Sequence, residues 1–326
     1  MPQQISVLVL PMASGASVMG VVDLFAIANR IAGRVNQGDA PFNVRVLSED
    51  GEPVQCSNGY QLSVDGKLSE VAKTDIIYLA AFSIASRQEL DNLLPRWKNF
   101  IPWFSEFDDT QELITSSCSG SFLLAEAGLL NGKTATSSWW LASVFVERYP
   151  AVKFDAQAIC TESGNIICGA GTSSYQDVCL LIVERYAGKH FSRLLAKYLM
   201  IDNQRRSQAL YVILSPDEHD DKVVAIAQAW IRKNLNQDFS IEQLADVAAV
   251  SSRTLIRRFQ NSYGDSPQAF IQKLRIEKCK TLLETTQLTF AEIVVRCGYR
   301  DESAFRRLFK RYCQLSPNDY RRRFTK

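Results

Sequence analysis

An internal repeat with a period of 50 residues occupies the last third of the chain. Four matches carry it, and they are Phe259 with Phe309, Ser266-Pro267 with Ser316-Pro317, Phe270 with Tyr320, and Glu242 with Glu292. Self-similarity at a fixed period means that one supersecondary unit occurs twice. The repeat therefore restricts this region to a tandem arrangement of two similar units.

Each copy predicts a helix-turn-helix. A residue of the type that caps helix N-termini precedes a short first helix, Ser240 in the first copy and Thr289 in the second. A turn of three or four residues and a second, Arg-rich helix follow, over residues 253–260 and 302–312 respectively. Over residues 222–326 every apolar periodicity is helical, which predicts an all-α domain.

Charge is divided unequally along the chain. Residues 222–326 contain 20 Lys and Arg against 10 Asp and Glu, a net charge of +10, whereas residues 1–221 contain 17 against 25, a net charge of −8. A basic segment on an acidic body is typical of a nucleic-acid-binding module attached to a domain that does not bind nucleic acid. A solvated basic surface or a helical protein-binding module is the alternative. Two tandem helix-turn-helix units favour DNA, because their second helices fit the major groove.

Residues 222–325 resemble the AraC-type DNA-binding domain. The residues that carry the resemblance are the turn Gly298-Tyr299, the run Ser303-Ala-Phe305-Arg-Arg307-Leu-Phe309-Lys310, and the run Ser316-Pro-Asn-Asp-Tyr320-Arg321. Gln314 departs from the family pattern, which has Gly at this place, while the first copy keeps Gly264. This departure bears only on the local turn geometry.

The position of each residue in the family pattern implies its role on double-stranded DNA. We expect side chains near the N-terminal end of each second helix to reach base edges, and basic side chains farther along it to contact phosphates. The candidate DNA-contacting residues are Ser252, Arg253, Arg257, Glu302, Ser303, Arg306, Arg307 and Lys310.

Predicted strands alternate with predicted helices in the first 200 residues. The strands are predicted at 5–10, 44–47, 76–80, 112–115, 134–136, 158–161 and 166–168, and the helices at 18–31, 87–104, 119–127, after Trp139, and at 173–186. Such alternation predicts an α/β fold with a largely parallel, flavodoxin-like sheet flanked by helices. The polar segment 201–221, which contains Ser215-Pro216, is predicted to link this domain, residues 1–200, to the helical one.

Several classes of protein and site are not expected. No apolar run approaches the roughly 18 residues that span a bilayer, and the apolar residues 5–10 follow no basic segment, so we expect a cytoplasmic protein without a membrane partner. The eight cysteines are expected to be reduced thiols, and since none is spaced C-x-x-C we expect no metal and no cofactor. His219 lies among acidic residues, which a solvated linker explains better than a metal site.

The motif Ser116-Ser-Cys118-Ser-Gly-Ser121 is the most chemically suggestive part of the first domain. It lies between a predicted strand and a predicted helix, so Cys118 is predicted on a sharp turn of the nucleophile-elbow type, beside a helix N-terminus that favours a thiolate. A nucleophilic cysteine needs a base, and both histidines, His190 and His219, are distant in sequence. Cys118 is therefore a nucleophile, a packed thiol, or part of the wall of a ligand pocket, and we favour the pocket.

Three segments of the first domain resemble the PfpI-like domain of the class I glutamine amidotransferase superfamily. They are the run from Cys118 to Lys133, Ala135-Thr-Ser-Ser-Trp139, and Gly169-Ala-Gly-Thr172 before the last helix. With an AraC-type tail they are similar to the GlxA family of transcriptional regulators. Ser119 stands where proteolytic or deglycase relatives carry His, and Ser138 stands where many regulators of this family have His. Both departures argue against a hydrolase.

The resemblance implies a transcriptional regulator that responds to a small-molecule effector, an amino-acid or methylated-amine metabolite. Such a regulator binds operator DNA, is expected to be a homodimer, and contacts RNA polymerase if it is an activator. The predicted effector-binding residues are Ser14, Ser17, Cys118, Ser119, Ser138, Trp139 and Thr172. The ring of Trp139 offers a π face to a cationic group. The alternative is a cysteine-dependent amidase or hydrolase that uses Cys118, with DNA binding secondary.

Overall fold

The computed structural model describes residues 1–35, 41–70, 75–84, 87–97, 100–105, 112–202, 205, 207–211, 221–263 and 265–324. The chain forms two compact units, Met1–Gln208 and Ala209–Lys326. The division falls inside the segment predicted as a linker, and Arg205 and Gln208 from that segment pack within the first unit. His219 and Gly264 lie outside the described residues.

The first unit is built on a mostly parallel sheet. Its strands are β1 (Gln3–Leu8), β2 (Phe42–Ser48), β3 (Val54–Gln55), β4 (Gln61–Leu62), β5 (Gly66–Lys67), β6 (Ile76–Leu79), β7 (Leu113–Ser117), β8 (Thr134–Ala135), β9 (Lys153–Phe154), β10 (Cys160–Ser163) and β11 (Ile166–Gly169). Among the described residues, seven strands form one sheet in the order β10-β11-β7-β6-β1-β2-β5, with only the β10–β11 pair antiparallel. The predicted α/β fold with a largely parallel sheet is therefore confirmed.

Helices cover both faces of this sheet. They are α1 (Gly15–Arg34), α2 (Arg87–Leu93), α3 (Phe100–Ser105), α4 (Gly120–Glu126), α5 (Ala142–Arg148), α6 (Tyr175–Ala187) and α7 (Lys189–Tyr198). Successive strand residues point to opposite faces. Ile77 and Leu79 accordingly join one core with residues of α2 to α5, and Ile76 and Tyr78 join a second core with residues of α1, α6 and α7. Both faces are buried, as is usual for a parallel sheet.

The bounds of several predicted elements differ from the observed ones, and for two of them local chemistry gives the reason. The single helix predicted over 87–104 is wrong: α2 ends at Leu93 and a 3-10 turn follows over Leu94–Trp97. Pro95 lies in that turn, and a proline disfavours helical geometry in the residue before it and donates no backbone hydrogen bond. The strand predicted at 158–161 begins later, at Cys160, because the Asp155 carboxylate accepts the N–H groups of residues 157 and 158 and holds them in a turn.

Helix α1 is long and apolar enough, by length and composition, to cross a membrane, a possibility that the sequence pattern missed. In this structure one of its faces, which includes Val18, Leu24 and Phe25, packs in the core beside the sheet. The other described helices do not meet the same criteria of length and hydropathy.

The second unit is all α-helical, as predicted. Its helices are α8 (Lys222–Asn234), α9 (Ile241–Val247), α10 (Ser252–Tyr263), α11 (Pro267–Thr285), α12 (Phe290–Arg296), α13 (Glu302–Cys313) and α14 (Pro317–Phe324). Helices α9 and α10 form the first helix-turn-helix, and α12 and α13 form the second. Each pair has its own apolar core, centred on Leu255 and Phe259 in the first and on Phe305 and Phe309 in the second.

Helix caps correct one match of the repeat. Ser240 and Gln243 form a reciprocal capping box at the start of α9, and Thr289 and Glu292 form the equivalent box at the start of α12. The structural counterpart of Glu292 is therefore Gln243, and the match with Glu242 is wrong. The offset is 49 residues here because the turn of the second copy is one residue longer than the turn of the first.

Gln314 adopts the left-handed conformation that the family pattern assigns to glycine. Its φ is +57°, and its backbone N–H donates to the carbonyl of Lys310, which closes α13. The departure from glycine is expected to affect only the local turn geometry. Gln314 keeps the left-handed turn, at the cost of roughly 1 kcal/mol that this conformation imposes on a non-glycine residue.

Two glycines with open space around them provide a test of backbone geometry. Gly128 follows α4 with a φ of +78°, whereas Gly33 lies exposed in α1, and a Cβ on either would meet at most a loose contact. We expect Gly128→Ala to lower the free energy of unfolding by about 1–2 kcal/mol, since alanine is strained at positive φ. We expect Gly33→Ala to raise it by about 0.5–1 kcal/mol. Urea unfolding followed by tryptophan fluorescence measures both, and effects of equal sign contradict the prediction.

Candidate functional site

Cys118 lies on a sharp turn between strand β7 and helix α4, as predicted. The strand ends at Ser117, the helix begins at Gly120, and Cys118 itself has a left-handed φ of +52°. A non-glycine residue in this region is strained and persists only where its surroundings hold it. The surroundings of Cys118 are therefore part of the site.

Hydrogen bonds hold the backbone of Cys118 from two sides. Its N–H donates to the carbonyl of Gly169 at 2.8 Å, which continues the pairing of β7 with β11. Its carbonyl accepts from the hydroxyl of Ser121 at 3.0 Å and from that of Ser137 at 2.8 Å. These contacts compensate for the strained conformation, since they satisfy both backbone polar groups of a buried residue.

Ser119 ties the turn to the segment that follows strand β6. Its hydroxyl accepts from the N–H of Phe82 at 2.9 Å and donates to the Phe82 carbonyl at 2.5 Å. Gly120 lies close to the same segment, because a Cβ at this position would come within 3.0 Å of the Leu79 carbonyl oxygen. Ser119 is therefore a buried residue that binds both backbone polar groups of Phe82.

The thiol of Cys118 is buried against a hydroxyl group. Its Sγ lies 2.8 Å from Oγ of Ser138, and either atom can be the donor in this contact. Oγ of Ser138 also lies 3.2 Å from the carbonyl oxygen of Ala170, which accepts from it. Burial raises the pKa of Cys118 above its ordinary value, with hydrogen bonds from Ser138, Ser119 and Thr172 opposing the shift. Burial at this turn thus works against the thiolate form that a cysteine nucleophile requires.

The side chains that contact the thiol are not bases. Ser138, Ser119 and Thr172 are hydroxyl groups, which do not accept a proton from a thiol at neutral pH. His190 is exposed in the first turn of α7. Among the described residues, no group of three His, Cys, Asp or Glu side chains lies close enough to hold a metal ion.

The other predicted effector-binding residues form a buried layer and an outer layer. Ser17 is fully buried, with its Oγ 3.2 Å from that of Ser117 at the end of β7. Ser14 caps α1, and its N–H donates to the carbonyl of Ala81 at 2.7 Å. The buried layer consists of Ser17, Cys118, Ser119 and Ser138, and the outer layer of the half-buried Ser14 and Trp139 and the exposed Thr172.

Gln208 is part of this cluster, although the sequence pattern assigned it to the linker. Its side-chain oxygen accepts from the backbone N–H of Trp139 at 3.0 Å, and its amide group donates to the carbonyl of Ser137 at 2.9 Å. It is only 3% exposed. No local signal marks it, because the contact joins residues about 70 positions apart in the chain.

A half-buried ion pair lies beside the outer layer. Arg205 bonds to the carboxylate of Asp177 in α6 and donates to the hydroxyl of Ser173 at 3.3 Å, next to Thr172. Burial raises the pKa of Asp177, and Arg205 opposes that shift. Like Gln208, Arg205 comes from the segment predicted as a linker.

In the second unit, helix α10 presents one exposed face. Leu255 and Phe259 are fully buried, and the side chains that remain exposed at helical spacing are Arg253, Ile256, Arg257 and Gln260. Ser251, rather than Ser252, caps the helix, since its hydroxyl accepts the N–H of Thr254 at 3.2 Å. Ser252 is half-buried in the first turn.

Arg258 is turned away from this face. Both carboxylate oxygens of Asp221 accept from its guanidinium at 3.0 Å. Asp221 also caps α8, and although burial opposes the shift, the N–H groups of Val223 and Val224 together with Arg258 hold the pKa of Asp221 below its ordinary value. The basic residues of α10 therefore divide into a paired Arg258 and the exposed Arg253 and Arg257.

Helix α13 presents the corresponding face at an offset of 50 residues. Ser303, Arg307 and Lys310 are exposed at the positions equivalent to Arg253, Arg257 and Gln260. Arg306, in place of Ile256, is half-buried: it pairs with Glu302 one turn earlier, and its guanidinium lies 4.6 Å from the ring centroid of Phe290. All the predicted DNA-contacting residues thus lie on α10 or α13, with Glu302 and Arg306 paired to each other.

Comparisons with known proteins match each of the two units. Residues 5–185 match the DJ-1/PfpI family, and residues 244–323 match a helix-turn-helix domain. Over 98% of its length the chain is 27% identical to the HTH-type transcriptional regulator CdhR of Pseudomonas aeruginosa, covering 92% of that protein. It is 23% identical to the HTH-type transcriptional regulator GbdR of the same species, covering 84% of that protein.

A solved structure of a protein from Vibrio parahaemolyticus shows the same fold as part of the chain. The TM-score is 0.54 at 22% sequence identity, over 61% of this chain and 100% of that one. With the family match over the first unit and the helix-turn-helix match over the second, the chain belongs to the DJ-1/PfpI family and is an AraC-type DNA-binding transcriptional regulator that carries a DJ-1-like domain.

Proposed function

We propose that a small metabolite binds the first unit at the Cys118 turn and thereby changes the affinity of the second unit for operator DNA. The observation that carries the proposal is the 2.8 Å contact between Cys118 and Ser138, which gives the buried thiol a hydroxyl partner where catalysis needs a base. An effector shifts DNA binding only by its different affinity for two states of the regulator. Residues 1–200 then act as the sensing domain, residues 222–326 as the DNA-binding domain, and 201–221 connects them.

The chemistry of the predicted site supports a polar organic effector. In its outer layer, the hydroxyl of Ser14 accepts the N–H of Ser17 and keeps its own proton to donate to a carboxylate or hydroxyl oxygen. Its outer layer includes the half-buried ring of Trp139, and an aromatic face attracts an ammonium group. We therefore propose an amino-acid or methylated-amine metabolite, with Ser14, Ser17, Cys118, Ser119, Ser138, Trp139 and Thr172 as the residues around it.

For the second unit we propose a division of labour along α10 and α13. Arg253, Arg257, Ser303 and Arg307 lie on the exposed faces near the helix starts and read base edges, with Ser252, Glu302 and Arg306 beside them. Lys310 lies farther along α13 and contacts phosphate. We also propose that the regulator binds as a homodimer, which raises its avidity for a two-part operator, and contacts RNA polymerase where it activates.

Salt dependence tests whether phosphate contacts carry the affinity. We expect the logarithm of the binding constant to fall linearly with the logarithm of salt concentration, with a slope of about −0.9 for each phosphate contacted. Fluorescence anisotropy of the full chain on DNA selected from a random-sequence pool measures the slope. An affinity independent of salt contradicts DNA binding by the basic unit.

Alanine substitutions test the division between base readers and phosphate contacts. We expect Arg257→Ala and Arg307→Ala each to weaken binding to the selected DNA by about 1–3 kcal/mol, with a smaller loss on random DNA. Lys310→Ala should weaken binding to both alike. Arg258→Ala is the matched control, because Asp221 already holds its guanidinium and its loss should leave sequence preference unchanged. Equal losses on both DNAs for Arg257→Ala would show that this arginine does not read bases.

Substitutions at the Cys118 turn test sensing against catalysis. A thermal-shift screen of amino acids and methylated amines first identifies a ligand that stabilises the full chain. Trp139→Ala should then raise the ligand concentration needed for half of the DNA response by about tenfold if the ring holds a cation. Cys118→Ala should raise it less, and both variants should bind DNA like the wild type without ligand.

Two controls complete this test. Cys179→Ala removes a buried thiol from α6 and should leave the half-maximal ligand concentration unchanged. If the wild-type protein turns over a ligand and Cys118→Ala abolishes that turnover, the protein is a hydrolase instead. An unchanged response in both Cys118→Ala and Trp139→Ala would exclude this turn from effector binding.

A further inference from the structure

Helix α11 connects the two helix-turn-helix modules of the second unit and contributes to the core of each. Its first half places Phe270, Ile271 and Leu274 in the core of the first module, and its second half places Ile276 and Cys279 in the core of the second. Arg275 lies between these two sets, at the point where the helix passes from one module to the other. It is only 8% exposed.

The guanidinium of Arg275 reaches across both modules. Its Nε donates to the carbonyl of Leu235 at 3.1 Å and its Nη2 to that of Gln237 at 2.7 Å, both in the segment between α8 and α9 of the first module. It also lies 5.1 Å from the ring centroid of Tyr299, in the turn of the second module, and 5.9 Å from that of Phe239. One buried side chain thus contacts the loop that precedes α9 and the turn that precedes α13.

Gly298 shows how closely these two segments approach. A Cβ at this position would lie 2.7 Å from the carbonyl oxygen of Leu235 and 3.1 Å from both Nη2 of Arg275 and the backbone carbon of Asn236. The φ of Gly298 is +78°. The turn of the second module therefore rests directly on the backbone of the first, and only glycine satisfies both the close approach and the left-handed conformation.

We propose that Arg275 is a positioning residue that fixes the distance and rotation between α10 and α13, and thereby the spacing of the two DNA sequence elements that they read. The proposal rests on DNA binding by the second unit. Two helices on one rigid body enter two major-groove segments at once only when the DNA elements have the matching separation. The joint formed by Arg275, Tyr299 and residues 235–237 holds the modules in one relative orientation.

The chemistry of arginine suits this joint. A planar guanidinium donates in two directions and stacks on aromatic rings, whereas the ammonium of lysine is a single point charge. A buried cation whose acceptors are lost is costly, so a displaced joint returns to the same geometry. Arg321 in α14 provides a matched comparison, because it also donates to two backbone carbonyls, those of Leu283 and Leu288, but both belong to the second module.

Selection from random-sequence DNA tests the proposal with the full chain. Wild-type protein should select, within each half of the operator, two sequence elements at one fixed separation. Arg275→Leu should select the same elements with separations spread by at least one base pair. The ratio of its affinity for DNA with the wild-type separation to its affinity for DNA with one base pair inserted should fall by about tenfold. The reason is that modules free to shift relative to each other can bind both sites of either DNA. Arg321→Leu should lower the melting temperature but keep the separation.

Three results would overturn the proposal. They are an unchanged separation in Arg275→Leu, an equal spread in Arg321→Leu, and a wild-type selection that yields one element only. If Arg275→Leu does not fold, as judged by circular dichroism, Arg275→Lys and Tyr299→Leu take its place. Arg275→Lys weakens the joint but keeps a cation there, and Tyr299→Leu weakens it but keeps the two carbonyl contacts of Arg275. If both variants select the wild-type separation, the proposal is equally overturned.

Discussion

Burial of both faces of the parallel sheet is the constraint on which the first unit depends. Helices cover each face, so polar groups that must be reached from outside collect where the strands end. Leu8, Leu79, Ser116 and Cys168 lie in register with one another, at or next to the carboxyl ends of four neighbouring strands. The segments that follow them carry Ser14, Ala81, Cys118 and Ala170, and this edge is where ligands bind in open α/β sheets.

A fold known from enzymes does not by itself decide the chemistry at this edge. The elbow geometry is present in full, with a left-handed Cys118 after a buried strand. The groups around the sulfur bear on that chemistry, because burial raises the pKa of the thiol and Ser138 offers no basic nitrogen. For this reason we propose that the strained turn contacts a ligand rather than attacking one as a nucleophile.

In the second unit, arginine has two separate functions. Arg258, Arg275 and Arg321 donate to acceptors within the protein and hold loops and helix ends. Arg253, Arg257 and Arg307 remain on exposed helix faces. The net charge of +10 counts both groups alike, so it indicates nucleic-acid binding without identifying which residues contact DNA.

Local patterns in the sequence were sufficient for the architecture. Apolar periodicity, helix caps and the 50-residue repeat predicted the α/β domain, the tandem helix-turn-helix and the turn at Cys118, because each depends on residues within a few positions of one another. The exceptions are also local: Pro95 interrupts a predicted helix, and the longer turn at Gly298 shifts the repeat by one residue.

Only the tertiary structure decided which polar groups meet. Gln208 binds residues near position 138, Arg258 binds Asp221, and Arg275 binds the segment after α8, across separations of about 40 to 70 residues. A side chain in such a contact has the same local sequence pattern as one exposed to water. Its partner is set by the packing of whole helices and strands, and hydrogen bonding over these distances in the chain leaves no periodic signal in the sequence.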